Sequence, residues 1–341
     1  MSIKESQFQF QGQSSFYRGK VRDVYGIGDH LVIVSSDRIS AFDCIWRGKG
    51  GLAGVPGKGT ALNAISHFWF GQFKAAGLAR SHILEVPHPL VWIVQRAEPL
   101  RIEAIARRFI TGSMWRAYER GERKFCGIEL PENLNQDQRL PNILMTPSTK
   151  GVIEGLEGIA ETDDANVSRN QLQRYWQSFG FRTPSDIGLY EVLLRQGFDL
   201  IAKHLSPLEL MLVDTKFEFG YARGPDGEES LIYIDEVGTP DSSRIWDAIA
   251  YRGGSIVENS KEEFRQALLR HLNDPELLLD PERLVERRQF AENHAIPEGL
   301  MHNLSGTYLS VAERIIGESI QAPERPMQNI LAVLADDYGL V

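Results

Sequence analysis

Acidic and basic residues alternate in the segment DTKFEFG, residues 214–220. Side chains two apart on an extended strand share a face, so Asp214, Lys216 and Glu218 would line one surface and the aromatic residues the other. Asp235, on the next predicted strand, would bring a further carboxylate to the same place. A few carboxylates that leave room for phosphate oxygens suit Mg²⁺, and Lys216 could then offset phosphate charge. The alternative is a ladder of cross-strand ion pairs that binds no ligand.

A glycine between basic residues marks the segment YRGKVRDVY, residues 17–25. Gly19 would lie in a turn between two strands, where backbone N–H groups can approach a polyphosphate closely. Lys20 and Arg22 lie two apart, so on a strand they would point at the same anion. The alternative is an edge strand at the surface whose basic side chains prevent aggregation.

Two further segments combine features of anion-binding sites. Glu103 and Arg107 lie four apart on a predicted strand and share a face, and Ser113 follows at a predicted helix start, where backbone N–H groups attract anions. Arg244 also lies beside a predicted helix start, and arginine binds phosphate through two parallel hydrogen bonds. The alternatives are a helix cap with an ion pair around Ser113 and a simple helix cap at Asp241.

Several other kinds of chemistry lack their sequence motifs. Residues 48–59 are rich in glycine, but Lys58 is followed by Gly59 instead of Ser or Thr, so the Walker A pattern is not matched. The eight histidines have no metal-ligand spacing, and no GxSxG pattern of a serine hydrolase occurs. Cys44 and Cys126 are far apart, which argues against a disulfide framework and a zinc site and suits a reducing cytosol.

Charge and hydropathy narrow the class of protein further. The formal net charge is −9, which argues against polymeric nucleic acid as a partner. No apolar run approaches the length of a membrane span, and the polar first residues lack the apolar core of a secretory signal. We therefore expect a soluble, cytoplasmic protein whose partners are small molecules, with no nucleic acid and no membrane among them.

Periodicity and turn residues predict an α+β fold with a helical end. Predicted strands cover residues 16–25 as a hairpin, 31–35, 90–95, 102–110, 210–219 and 231–237, the last two being paired. Predicted helices cover residues 60–76 and 185–205, and another begins at residue 111. Residues 48–59 are predicted to be a mobile loop and residues 129–149 to have little regular structure. The chain from about residue 242 is predicted to be helical, with residues 325–341 a peripheral helix or tail.

Seven segments in this order resemble successive motifs of the SAICAR synthase family. They are YRGKVRDVY, SSDRISAFD, PGKG, RIEAIARRFITGS, LPNILMTPSTK, DTKFEFG and IDEVGTPDSSRIW, which together span residues 17–246. The resemblance implies an antiparallel β N-terminal lobe similar to the small lobe of protein kinases, joined to a larger α+β domain, with ATP between them. We accordingly expect an N-terminal lobe at residues 1–88, a substrate and nucleotide domain at 89–250, and a helical C-terminal part at 251–341.

The resemblance also implies a reaction. Enzymes of this family condense carboxyaminoimidazole ribotide (CAIR) with L-aspartate in de novo purine biosynthesis, releasing ADP and phosphate. The ribotide carboxylate would first be phosphorylated by ATP, because a carboxylate oxygen is a poor leaving group and a phosphate is a good one. The amine of aspartate would then attack the acyl phosphate. The protein would contribute mainly positioning and charge neutralisation.

The resemblance assigns roles residue by residue. The expected ATP-binding residues are Gly19, Lys20, Arg22, Lys216, Glu218 and Asp235. The expected Mg²⁺ ligands are Glu218, Asp235 and Glu103. The residues expected to bind the ribotide or aspartate are Arg107, Ser113, Arg244, Asp43, Lys150 and Asp164. The expected catalytic residues are Lys216, Glu103 and Asp241.

Two other functions compete with the ligase. A small-molecule kinase would share the ATP-binding residues but would need a substrate hydroxyl and a positioned base. A non-catalytic nucleotide sensor would be expected to lack some metal or phosphate residues, whereas Lys20, Glu218 and Asp235 are all present.

Overall fold

The fold was analysed in a computed structural model, which describes residues 4–336 and Tyr338. The outermost parts of the predicted first and last domains, residues 1–3, 337 and 339–341, lie outside the described residues.

An antiparallel sheet forms the N-terminal lobe. The elements of this part of the chain are β1 (Gln13–Arg18), β2 (Arg22–Ile27), β3 (His30–Ser35), β4 (Ile39–Ala41), β5 (Cys44–Gly48), a short 3-10 helix (Lys49–Gly51), α1 (Lys58–Ala75), β6 (Ile83–His88) and β7 (Val91–Gln95). The strand order in the sheet is β1-β2-β3-β7-β6, while β4 and β5 form a separate hairpin. The predicted hairpin around Gly19 is the β1–β2 pair, and its turn lies at one end of the sheet.

A second, larger sheet forms the centre of the molecule. The elements that follow the first lobe are β8 (Glu98–Pro99), β9 (Ile102–Phe109), α2 (Gly112–Glu119), β10 (Lys124–Phe125), β11 (Ile128–Glu129), β12 (Arg139–Met145), β13 (Ser148–Thr149), α3 (Arg169–Arg174), α4 (Asp186–Leu205), a 3-10 helix (Ser206–Leu208), β14 (Leu210–Arg223), β15 (Glu229–Ile234) and β16 (Ser243–Asp247). The long strand β14 pairs with β9, β15, β16 and β8, all antiparallel.

The main hydrophobic core lies between this sheet and the helices. On α4, Ile187, Leu194 and Ile201 are fully buried and recur every seven residues, which places them on one face of the helix. Ala104 on β9 and Phe217 on β14 are fully buried on the side of the sheet that faces this core. The opposite side of the same two strands is therefore left for polar side chains.

Helices dominate the C-terminal part, which contacts both lobes. Its elements are α5 (Ala248–Arg252), α6 (Lys261–His271), α7 (Glu276–Leu279), a 3-10 helix (Pro281–Arg283), α8 (Leu284–Asn293), β17 (Ala295–Ile296), α9 (Glu298–Ile316) and α10 (Pro326–Asp336). Helix α9 packs against α1. Ile330 and Leu334 of α10 join a cluster with Phe8 and Phe10 on the N-terminal sheet. No helix among residues 4–336 is long and apolar enough to cross a membrane.

The predicted α+β class is confirmed, with local corrections. Residues 139–145, predicted to be irregular, form β12 because they pair with β9. Residues 243–247, predicted to be helical, form β16 because they pair with β14. The predicted domain boundary at residues 88/89 falls inside the β6–β7 hairpin, whose strands pair from Ile83 to Val94. We therefore propose a boundary after Gln95.

The glycine-rich segment 48–59 is packed against the first lobe over most of its length, contrary to the prediction of a mobile loop. The N–H of Val55 donates to the carbonyl of Asp37 at 2.8 Å. A Cβ added to Gly54 would lie 1.9 Å from that same carbonyl oxygen. Glycine is required at residue 54 because two backbone segments approach each other here with no space for a side chain.

This contact predicts that Gly54→Ala lowers the free energy of unfolding by about 1–3 kcal/mol, the usual effect of overpacking a tight site. Gly71→Ala is the matched control: Gly71 lies inside α1, and a Cβ there would meet nothing within 4 Å. The control should be neutral or slightly stabilising, because alanine favours a helix more than glycine does. Urea denaturation of both variants measures the difference, and equal stability of the two would contradict the packing argument.

Candidate active site

The candidate site is built on the pairing of β9 with β14. In their register Arg107 lies opposite Asp214, and Ile105 lies opposite Lys216. The polar side chains that this register places on the face away from the core are called here the charged stripe: Glu103, Arg107, Asp214, Lys216 and Glu218. From Asp214 to Glu218 the stripe extends for about 13 Å, at the usual rise of a strand.

One end of the stripe is an arginine-rich cradle. The Nη1 atoms of Arg107 and Arg244 lie 3.1 and 2.5 Å from the same oxygen of Asp214. Arg107 also donates to Thr146 Oγ1 at 2.9 Å and to Ser113 Oγ at 3.4 Å. All five of these side chains converge. The two guanidinium groups share Asp214, and Arg244 Nη2 also lies 3.3 Å from Glu262 Oε2. Arg116 lies within electrostatic range of Arg244 and Arg265, so arginines outnumber carboxylates here. This end of the stripe therefore favours an additional anion.

Gly112 allows the cradle to close. Its φ angle is +58°, and a Cβ there would lie 2.4 Å from an Nη atom of Arg244. Glycine adopts this left-handed conformation without strain, which lets α2 begin directly beside the guanidinium group. Ser113 follows at the N-terminal end of α2, where the backbone N–H groups have no partner within the helix and favour negative charge.

At the other end of the stripe, lysines alternate with carboxylates. Lys216 Nζ lies 2.7 Å from Glu103 Oε1 and 3.0 Å from Glu218 Oε1. Lys150 pairs with the second oxygen of Glu218. Burial lowers the pKa of Lys216, but Glu218, Glu103 and Asp235 outweigh this effect and hold that pKa well above its usual value. Lys216 is therefore a permanent cation in the middle of the stripe.

Arg22 connects the N-terminal lobe to Asp235. Its guanidinium group is almost fully buried, pairs with Asp235, and lies 3.2 Å from Glu236 Oε2. Burial raises the pKa of Asp235, but the nearby cations Arg22, Lys216 and Lys150 lower it to about 2, so this carboxylate stays ionised. Because Arg22 is buried and already paired, its placement argues against the direct contact with ATP phosphates that the resemblance implied.

Lys20 lies on the other side of the Gly19 turn, at the open edge of the cleft. Its Nζ atom pairs with Asp43 Oδ1 at 2.7 Å, and both side chains are about half exposed. Asp164 lies close by: burial raises its pKa to about 7, and the neighbouring carboxylates Glu103, Asp163 and Asp43 contribute to that rise. Asp164 is thus a carboxyl group that titrates near neutral pH.

Three acidic residues expected at the site have a left-handed backbone conformation. The φ angles of Asp43, Asp164 and Asp235 are +61°, +57° and +59°. Residues other than glycine adopt positive φ infrequently, and where they do the surrounding structure holds them there. Each of these carboxylates therefore points in a direction that a regular strand or helix would not allow.

Asp241 is buried in an ion-pair cluster of its own, which argues against its predicted catalytic role. Its side chain is almost fully buried and pairs with Lys58 Nζ at 2.8 Å, while the hydroxyl of Tyr308 donates to it at 2.5 Å. Lys261 Nζ lies 3.7 Å away. These groups shield the carboxylate almost completely from solvent, so we do not expect it to contact a substrate directly. We propose instead that Asp241, just before β16, connects α1 through Lys58 with α9 through Tyr308.

The expected Mg²⁺ ligands do not form a preformed metal cage. Within the part of the chain that the structure describes, no group of three or more His, Cys, Asp or Glu side chains is arranged to hold a metal ion. Glu103 and Glu218 share Lys216, and Asp235 pairs with Arg22. Proteins nevertheless usually bind a magnesium–nucleotide complex through only one or two carboxylates, and phosphate oxygens of the nucleotide supply further ligands.

Some residues of the site were not identified from the sequence. Asp214 was noted for its alternation with Lys216 but was given no role, although it fixes both cradle arginines. Glu236 and Lys58 were likewise given no role. A signal existed for each: Glu236 follows Asp235 directly, and Lys58 lies in the PGKG motif.

The chain is similar to known proteins over most of its length. The sequence profile described as SAICAR synthetase matches residues 15–276. A phosphoribosylaminoimidazole-succinocarboxamide synthase from Aeromonas salmonicida is 59% identical over 310 residues, covering 91% of this chain and 84% of that protein.

Solved structures with this fold include SAICAR synthases. The Saccharomyces cerevisiae enzyme complexed with SAICAR gives a TM-score of 0.69 at 24% identity, covering 93% of this chain and 99% of the other. A type-2 SAICAR synthetase in complex with ADP gives a TM-score of 0.61 at 19% identity, covering 90% of this chain and 100% of the other. At these identities the structural likeness supports the α+β fold.

The arginine cradle predicts a specific response to phosphate. Asp214→Asn removes the charge between two buried arginines and should lower the free energy of unfolding by about 3 kcal/mol or more. Inorganic phosphate should raise the melting temperature of this variant more than that of the unmodified protein, because the added anion can replace the lost carboxylate.

The matched control is Glu157→Gln, which breaks an exposed ion pair with Arg174. It should change stability by about 1 kcal/mol at most and should not alter the response to phosphate. Differential scanning calorimetry with and without phosphate measures both effects. An equal phosphate response in all three proteins would rule out an anion site between Arg107 and Arg244.

Proposed function

The chain belongs to the SAICAR synthetase family, and we propose that the charged stripe between its two lobes is the active site. It is an enzyme of purine biosynthesis, a ligase that joins CAIR to L-aspartate. The observation that best supports this location is the asymmetry of the stripe. The arginine cradle at one end suits a phosphomonoester, and the lysine–carboxylate cluster about 13 Å away suits a carboxylate that must react.

The ribotide would lie along the stripe. Its phosphate would bind between Arg107, Arg244 and Ser113, where it would compete with Asp214 and Glu262 for the guanidinium donors. Its imidazole carboxylate would then lie near Lys216, whose charge is constant over the physiological pH range. Holding both ends of the substrate fixes the reacting carboxylate, which supplies much of the rate enhancement in reactions of this type.

ATP would bind between the Gly19 turn and the place where β14 and β15 begin to pair, at Glu218 and Ile234. Lys20 at the turn and Lys150 beside Glu218 would neutralise the charge of its phosphates. Glu218 and Asp235 are the residues that would hold Mg²⁺, with Glu103 as a further candidate, and the ion would offset the negative charge of the ATP phosphates. The low pKa of Asp235, about 2, keeps it available as a metal ligand at any physiological pH.

The chemistry proceeds through an acyl phosphate. A carboxylate oxygen of CAIR attacks the γ-phosphorus of ATP, and the bond to ADP breaks. The amine of aspartate then attacks the acyl carbon, and the phosphate departs as the amide forms. With the ribotide in this position, Lys216 would lie near the negative charge that accumulates in both steps, so its main contribution would be electrostatic stabilisation of the transition states.

The amine of aspartate must lose protons during this attack. Asp164 is the carboxylate suited to accept one, because its raised pKa, about 7, makes it a stronger base than an ordinary aspartate. Asp43 and Lys20 lie at the same edge of the cleft. We assign Asp43 and Asp164 to the aspartate substrate and Lys20 to the ATP phosphates, with Lys150 a candidate contact for either substrate.

A coupled ADP-release assay tests the proposal. The reaction contains MgATP, CAIR and L-aspartate, and each is omitted in turn. ADP release that requires all three, together with an amide product, supports the ligase. Release without aspartate would indicate a kinase or an uncoupled enzyme, and no release under any condition would indicate a nucleotide sensor.

Two conservative variants test the assignment of the nucleotide–metal carboxylates. Glu218→Gln and Asp235→Asn keep the size of each side chain but remove the charge that would bind Mg²⁺. Each should lower kcat by about 10²-fold or more, the usual loss when a preorganised charge is removed from a reaction centre. Glu229→Gln, which breaks an exposed pair with Arg182, is the control and should keep full activity. Full activity in either site variant would refute its assignment.

The pKa of Asp164 predicts a pH profile. Because the ionised carboxylate is the form that accepts a proton, kcat/KM for aspartate should rise as pH increases through about 7. Asp164→Asn should lower the activity and remove this inflection. Asp163→Asn should keep the inflection but move it to lower pH, because one of the neighbouring charges that raise the pKa of Asp164 is gone. An unchanged profile in Asp164→Asn would exclude Asp164 as the base.

A further inference from the structure

Arg38 lies behind the Gly19 turn and is almost completely buried. It belongs to the SSDRISAFD segment, in which the active site described above uses Asp43 alone. Its guanidinium group donates to two consecutive carbonyl oxygens of the turn: Nη2 to Gly19 O and Nε to Lys20 O, both at 3.1 Å. A third donor, Nη1, reaches Lys4 O at 2.5 Å.

The charge of Arg38 is balanced by one buried carboxylate. Asp23 Oδ1 accepts from Arg38 Nη2 at 2.8 Å, and Asp23 Oδ2 accepts from the N–H of Ser6 at 2.6 Å and from its hydroxyl at 2.9 Å. Burial raises the pKa of Asp23, but the bonds from Arg38 and Ser6 outweigh it and lower that pKa below its usual value. Arg38 is therefore held in place from both sides, by Asp23 and by the segment that contains Lys4 and Ser6.

These bonds determine which way the N–H groups of the turn point. In a planar trans peptide the C=O and N–H bonds point in opposite directions. When Gly19 O and Lys20 O point inward to Arg38, the N–H groups of Lys20 and Val21 must point away from it. Among residues 4–336 neither of these N–H groups has a hydrogen-bond acceptor. The turn itself is partly exposed, so these two donors face a space that a ligand can reach.

We propose that Arg38 is a positioning residue that aims the backbone N–H groups of Lys20 and Val21 at the polyphosphate of the nucleotide. Successive backbone N–H groups that point to one place form an anion site, and here a buried guanidinium group creates that arrangement by binding the carbonyl oxygens behind it. This inference rests on the proposed function, because it takes the ligand at the Gly19 turn to be ATP.

Lysine cannot replace arginine in this role. The planar guanidinium group presents five donors in fixed directions, and Arg38 uses them on three carbonyl oxygens and one carboxylate. An ammonium group keeps the charge opposite Asp23 but cannot span two consecutive carbonyls and Lys4 at once. Arg38→Lys therefore separates the orienting role from the charge.

The test compares Arg38→Lys with Arg314→Lys in the full-length enzyme. Arg314 is a partly buried arginine of α9 that donates to a single carbonyl, Leu208 O, away from the Gly19 turn. We measure KM for MgATP, CAIR and aspartate, the affinities for ADP and for adenosine by calorimetry, and the melting temperature. Coupling through a packed network of this kind is expected to change ligand affinity by about 3- to 30-fold.

The expected result is a rise of KM for MgATP and a loss of ADP affinity in Arg38→Lys, with adenosine affinity and KM for CAIR unchanged. Nucleotide parameters equal to those of Arg314→Lys would overturn the proposal. An equal loss of affinity for ADP and for adenosine would also overturn the proposal. So would a uniform change of all KM values and affinities together with a lower melting temperature, because that result would show a general structural role.

A second variant guards against misfolding of Arg38→Lys. Ser6→Ala removes one hydrogen bond to Asp23 and leaves Arg38 intact. It should lower the affinity for ADP, but by a smaller factor than Arg38→Lys does. Unaltered ADP binding in Ser6→Ala together with an unfolded Arg38→Lys would count against the proposal. If the unmodified enzyme itself bound no ADP, the proposed function would fail instead, and the two failures are thus distinguishable.

Discussion

The register between β9 and β14 is the constraint on which the active site depends. Side chains alternate between the two faces of a sheet, so one register sends Ala104 and Phe217 into the core and leaves Arg107 and Lys216 facing the cleft. A slip of one residue would exchange these faces, burying lysine and exposing phenylalanine. The hydrophobic core that stabilises the sheet therefore also fixes the positions of the charged side chains on its other face.

Charge compensation is the second organising feature. Buried charges are tolerated best when they are paired and hydrogen-bonded, and the main charged side chains of the cleft are paired. Two arginines share Asp214, Lys216 is shared by two glutamates, and Arg22 bridges the lobes to Asp235. A ligand that enters must take over existing partners, which favours ligands carrying both phosphate and carboxylate groups over simple hydrophobic molecules.

Local patterns predicted the parts of the structure that local forces determine. The alternation in DTKFEFG correctly placed Lys216 and Glu218 on one face, and the amphipathic pattern of residues 185–205 predicted α4. Strand β16 was missed because its structure is decided by pairing with β14, which belongs to another part of the chain, and not by the local preference of its own residues. The burial of Arg22 and Asp241 was missed for the same reason, since their partners are far away in the chain.

The packing of α10 on the first lobe has a consequence for biosynthesis of the protein. Ile330 and Leu334 complete the same apolar cluster as Phe8, Phe10 and the strands of the N-terminal sheet. On the ribosome the residues of that sheet are synthesised first, but α10, which covers part of its apolar surface, is synthesised only near the end of the chain. During this interval its apolar surface remains available to chaperones or to other nascent chains, which makes the delay in translation a point of vulnerability to aggregation.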